Sequence, residues 1–175
     1  MFETPPLPSW DGLHPVIVHF PVALLLVAPL FVLLALLVRI HRRGLLLAAL
    51  VLMALGTASA WVAVETGEAA EKFAVRSPAV HAVLEHHSEL AERTRAIFSV
   101  LTLVFAGLLF APVLLRREPG ETATVALALL FLAVYGAGAL ILANTAHNGG
   151  RLVHELGVHG RMPAEPLPAA PVDKD

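Results

Sequence analysis

The sequence predicts an all-α membrane protein: a four-transmembrane-helix up-down bundle with an outer amphipathic helix leading into the third span. Three observations carry this. The 175 residues are 57% hydrophobic and 15% charged, with a mean hydropathy of +0.75, outside the usual composition of a soluble domain. Pro21 to Val38, Leu45 to Val64, Ile97 to Leu115 and Ala123 to Ala143 are apolar runs near the ~20 residues that cross ~30 Å of hydrocarbon. In lipid the backbone must satisfy its own hydrogen bonds, so runs of this length are helices rather than isolated strands.

No Gly- or Ser-rich linker and no sequence repeat divides the chain, so residues 1–160 read as one transmembrane domain. Residues 161–175 are rich in Pro and Ala without apolar periodicity and read as a flexible C-terminal tail. The net charge of −2, with no basic run to track phosphates, excludes nucleic acid as a partner. Cysteine is absent, which excludes disulfides, thiolate catalysis, iron–sulfur clusters and covalent c-type haem attachment. Any cofactor is held by His, Met or carboxylates.

Span one opens with LHPVIVHFP. Pro21 lacks an N–H and would clash with the Ile17 carbonyl in a regular helix, so the chain kinks or starts a new helix around His19. The span is too long for a cleavable signal, starts without a basic region and ends at Arg39, Arg42 and Arg43. Span two ends in WVAVETGEAAEKF, where Glu65 and Glu68 share a helix face and Glu71 reads as the solvated helix end. Glu65 directly follows apolar residues and is a candidate to accept a hydrogen bond from a ligating imidazole.

Ser77-Pro78 is a helix start, with Ser as N-cap and Pro at the first helical position. The helix runs into span three with Val80, Val83, Leu84, His87, Ala91 and Thr94 on the face turned to the bundle. His81 and His86 point elsewhere, into solvent. Span four carries Gly136 and Gly138 with Ala133, Ala137, Ala139 and Ala143 as a small-residue face for close helix approach. It runs out through ANTAHNGGRLVHELGVHG, where Gly149-Gly150 suits a helix stop and RLVHELGV a segment folded across the mouth of the bundle.

Arginines concentrate in the two short turns RIHRRG and RREPGET, whereas the N-terminal segment carries only Glu3 and Asp11. The positive-inside rule then makes these turns cytoplasmic. Both termini and the central loop become periplasmic in a bacterial inner membrane. His14, His19, His81, His86, His87, His147, His154 and His159 all fall on the outer side, and only His41 lies in an inner turn. Imidazole is the commonest side-chain ligand for transition metals and haem iron, so this asymmetry marks the outer face for chemistry. His14, His19, His87 and His147 lie at the outer span ends and are the cofactor-ligand candidates. Glu65 and Glu68 join them as candidate metal ligands.

LHPVIVHFPVAL, TGEAAEKF, HHSELAERT and AHNGGRLVHELGV together resemble the uncharacterised bacterial four-helix membrane proteins of domain of unknown function 2231. The most specific parts are His14, Pro15, His19, Phe20 and Pro21 in the opening, and Gly149, Gly150, Leu152, Val153, Gly157 and Val158 in the ending. The resemblance covers the chain to about Gly160 and implies a four-span protein with periplasm-facing motifs, sometimes found beside cytochromes. It implies no particular activity.

The first functional expectation is an integral membrane b-type haem-binding electron-transfer subunit, with two imidazoles from facing helices ligating iron near the periplasmic face. Noncovalent bis-His haem needs no cysteine, and a helical bundle is a natural host. The second is a protein that binds or transports zinc, copper or iron through the same His and Glu side chains. The third is a structural accessory subunit of a larger membrane complex, with a cytochrome or other complex as partner beside the lipid bilayer. No enzymatic reaction or quinone site is specified by the sequence.

Overall fold

The computed structural model describes residues 7–74, 77–117 and 119–159; the expected tail at 161–175 lies outside them. The described chain forms α1 (His14–Ile17), α2 (His19–Leu37), α3 (Arg42–Glu71), α4 (Pro78–Leu115) and α5 (Glu121–His154), with single 3-10 turns at Asp11–Leu13 and Arg39–His41. No strand occurs among the described residues. Four stretches are long and apolar enough to span a membrane: Asp11–Leu37, Arg39–Glu71, Pro78–Leu115 and Glu121–His154, with peak mean hydropathy of 2.2–2.8. Only 17–28% of each most apolar window is buried inside the molecule, so the remaining apolar surface is left for lipid.

The local signals act as expected at the starts of α2 and α4. The helix path breaks at Val18 and resumes at His19, two residues before Pro21, whose missing N–H leaves the Ile17 carbonyl without its helical donor. Ser77 caps α4, its hydroxyl accepting from the Val80 N–H at 3.3 Å with Pro78 in the first turn. The helix continues unbroken through span three, and Val80 and Thr94 of its predicted inner face are buried. Gly120 caps α5, whose first-turn Glu121 complements the helix dipole and receives both Arg42 guanidinium nitrogens at 2.8 Å. Arg42 also donates to the Ala35 carbonyl at 3.2 Å, tying α2, α3 and α5 together at the arginine end.

Two linked expectations fail. Gly149-Gly150 does not stop the helix, and RLVH is the last turn of α5 rather than the start of a segment folded across the bundle mouth; α5 passes through both glycines to His154. The chain turns back only afterwards, where Gly157 takes a left-handed φ of 66° and the Val158 N–H bonds the Leu152 carbonyl at 2.8 Å. The physical reason lies beside Gly149, where an imidazole from α4 occupies the space a side chain would take.

The spans pack as a ring in the order α2, α3, α4, α5, with α5 closing on α2. Leu25, Ala28, Val32, Ala49, Met53, Phe98, Leu101, Phe105, Phe131, Tyr135 and Leu142 form the core. Of the small residues of span four, Gly138 packs against Ile97, Leu101 and Phe98, while Gly136 faces open space. Pro29 lies inside α2 and cannot donate to the Leu25 carbonyl one turn earlier. The hydroxyl of Tyr135 fills that vacancy from α5 at 2.7 Å. Without it, a carbonyl in the apolar interior would go unsatisfied.

Candidate functional site

At the histidine end, two rings meet across the bundle axis from diagonal elements. His14 of α1 and His87 of α4 have centroids 6.5 Å apart and planes at 80°. His14 reaches α3, where Nδ1 donates to the Ala63 carbonyl at 2.9 Å and approaches Thr66 Oγ1 at 3.3 Å. The Thr66 hydroxyl in turn donates to the Val62 and Ala63 carbonyls, which leaves its oxygen lone pair for the imidazole. His87 reaches α5, where Nδ1 donates to the Thr145 carbonyl at 2.9 Å. Thr94 and Thr145 share a 2.9 Å hydroxyl contact below it.

A carbonyl oxygen can only accept, so in each neutral ring the proton sits on Nδ1 and Nε2 carries a lone pair. Among the described residues neither Nε2 has a hydrogen-bond partner, and neither is sealed from accessible space. Such a backbone-anchored imidazole is the usual form of a metal-ligating histidine.

Each imidazole also rests on a glycine one turn beyond its carbonyl acceptor. In a helix the Cβ of residue i+4 leans back over the carbonyl of residue i, so only glycine lets a ring approach that carbonyl. A Cβ on Gly67 would lie 2.9 Å from His14 Cε1, and one on Gly149 would lie 3.0 Å from His87 Cε1.

Of the sequence-predicted residues, the structure brings His14 and His87 together. His19 and His147 are exposed, as are Glu65 and Glu68. Glu65 lies 3.8 Å from Arg95, whose guanidinium stacks 4.4 Å over the Trp61 ring and also binds Glu92. The acceptors for the imidazoles are therefore main-chain carbonyls rather than the Glu65 carboxylate. His81, 3.8 Å from Glu85, His86 and His159 are exposed, and His154 lines an open outer groove with His147, Arg151 and Glu155. Among the described residues no three His, Asp or Glu side chains converge as a metal-ligand group. Thr66, Gly67 and the two carbonyls complete the seats of the imidazoles and went unnamed in the sequence reading, which took Gly149 as a helix stop. Their signal was the pair of segments AVETG and TAHNG, each ending in glycine four residues after the acceptor.

Fold and site together define a four-span helical membrane protein with a paired-imidazole centre at one end of its bundle. The chain belongs to the family of predicted membrane proteins of domain of unknown function 2231, DUF2231, whose model matches residues 11–161. Neither curated proteins nor solved structures gave a match.

Proposed function

We propose that this is a b-type haem electron-transfer protein of the bacterial inner membrane, in which His14 and His87 would hold the haem near the periplasmic face. The observation that carries the reading is the convergence of two imidazoles, with both Nδ1 atoms anchored to main-chain carbonyls and both Nε2 lone pairs left over. A structural zinc ion requires four protein ligands, and a catalytic one three. Haem would need only two imidazoles from the protein, which His14 and His87 would supply. The ring centres lie 6.5 Å apart, near enough for both imidazoles to reach one group held between them.

When bound, haem would supply reversible one-electron transfer between its ferric and ferrous states. The residues of this chain hold and orient the ligands: Ala63, Thr66 and Thr145 fix the tautomer, and Gly67 and Gly149 set how closely each ring meets its helix. The proposed orientation rests on basic density close to the span ends, Arg39, Arg42, Arg43, Arg116 and Arg117 in two short turns, rather than on the raw count, since seven of the twelve basic residues lie outside those turns. Both termini then face the periplasm.

The test is the absorbance spectrum of the detergent-purified protein after haem-supplemented expression, before and after dithionite, with elemental analysis of the same sample. Reduced bands near ~560 nm are expected, as for bis-imidazole iron. His14→Ala and His87→Ala should each abolish or shift them, whereas His19→Ala and His147→Ala should leave them unchanged. A colourless protein with stoichiometric zinc, copper or iron overturns the haem reading in favour of a metal-ion site. Absence of both haem and metal overturns it in favour of an accessory subunit.

A further inference from the structure

The two halves of the chain carry one pattern twice. A shift of 73 positions takes His14 to His87, Leu25 to Phe98, Ala28 to Leu101 and Val32 to Phe105, and both members of the last three pairs are 5% exposed or less. A shift of 82 positions takes Ala49 to Phe131, Met53 to Tyr135, Gly56 to Gly138 and Ala60 to Leu142, again buried on both sides. The same shift takes Ala63 to Thr145 and Gly67 to Gly149, the acceptor and glycine beneath each imidazole.

Contacts between helices obey the same two shifts. Gly56 abuts Leu24 and Leu25, and Gly138 abuts their counterparts Ile97 and Phe98. The carbonyls of Leu25 and Phe98 each accept a hydroxyl from the neighbouring span, Tyr135 at 2.7 Å and Thr57 at 3.3 Å; the acceptors correspond, whereas the donors have diverged, since Tyr135 corresponds to Met53 and Thr57 to Ala139. Helix α2 maps to α4 and α3 to α5, so the α3–α4 interface maps to the α5–α2 interface, and both exist. In an up-down bundle each mapped pair runs in the same direction, so the halves are related by a half-turn about the bundle axis. That axis passes between His14 and His87.

We infer that the chain is a tandem duplication of one helical hairpin whose histidine end is a two-fold binding seat, with His14 on Gly67 and His87 on Gly149 as equivalent half-sites for one ligand with two like faces. Each half-site offers a lone pair on Nε2. The ligand class is therefore an electron-pair acceptor open on both faces, such as a metal centre with two axial positions. A solute with one donor end and one acceptor end would be matched at one half-site and mismatched at the other. The inference rests on the proposed function for the ligand between the two rings and its binding through both Nε2 atoms, and adds the equivalence of the two half-sites.

Gly67→Ala and Gly149→Ala in the full-length protein test it, with Gly136→Ala as control because a Cβ there meets nothing within 4 Å. The first readout is the imidazole NMR spectrum of cofactor-free, ¹⁵N-histidine-labelled protein in detergent. G67A should move the His14 Nδ1–H resonance and spare that of His87, G149A should do the reverse, and G136A should move neither. The second readout is haem retention, which both test variants should weaken by a similar factor of about 10–100. Where an alanine variant does not fold, His14→Gln and His87→Gln replace the pair and should lower retention equally. A resonance shift in one half alone, or losses differing by more than about tenfold, overturns the equivalence. Wild-type protein without haem removes the proposed function and leaves the NMR result to decide the half-sites. Haem held as tightly by both alanine variants as by wild type removes the half-sites and leaves the proposed function standing.

Discussion

Single side chains do two kinds of work in this bundle, and the sequence discloses them unequally. His14 and His87 were readable as ligand candidates because each sits at a span end, and His87 lies on an apolar stripe that periodicity exposes. The separation of His14 and His87 from His19 and His147 was not readable. It depends on which helix lies opposite, and a one-dimensional pattern does not encode that. Tyr135 is the same kind of case. It is the only tyrosine in the chain, in the middle of an apolar run, and Pro29 is a proline inside another. Their 2.7 Å relation through the Leu25 carbonyl appears only when α5 closes against α2. Tyr135→Phe removes that donor from a residue 1% exposed and should cost about 1–3 kcal/mol, the penalty of an unsatisfied buried acceptor. Thermal unfolding in detergent should register a fall of about 3–10 °C. An unchanged midpoint would show that the proline vacancy is filled another way.

For whole elements, close approach is set by a few glycines rather than by small residues in general. Four apolar runs suffice to place four helices, and the Ser77-Pro78 start of α4 was legible from capping chemistry alone. The end of α5 was not, because Gly149-Gly150 has the composition of a stop and a different purpose. At Gly56 a Cβ would stand 2.7 Å from Leu25 Cγ and Cδ2, in a core position where Leu25 has no exposure and no room to yield. Gly56→Ala should therefore push α2 and α3 apart and destabilise the bundle by about 1–3 kcal/mol, as overpacking does. Gly136→Ala meets open space and gains helix propensity, so it should hold or raise the unfolding midpoint. The ordering of these two variants in one thermal series is the check. The reverse ordering would mean that α2 and α3 do not meet at Gly56.

Across the molecule, the two ends of the bundle differ, with the Arg39 and Arg42 cluster on Glu121 at one end and the imidazole pair at the other. The natural chain has no cysteine, so single cysteines report its orientation without background. Ser77→Cys, between α3 and α4, should react with a membrane-impermeant maleimide in intact cells that admit the reagent to the periplasm. Arg117→Cys, between α4 and α5, should react only after the inner membrane is opened. The opposite pattern would invert the topology and move the imidazoles to the cytoplasmic side. The number of spans was legible in hydropathy. The repeat was not, because Ala49 faces Phe131 across it, and Ala28 faces Leu101. Burial repeats while residue identity does not.

A further consequence attaches to the half-turn between the hairpins. In a homodimer every substitution lands twice, so neither copy of a site can change without the other. Joined in one chain, the hairpins are free to diverge: beneath the rings Pro21 and Ala63 correspond to Thr94 and Thr145, and only the latter pair forms a hydroxyl contact. In a single chain the surroundings of one imidazole can be adjusted while its twin stays fixed.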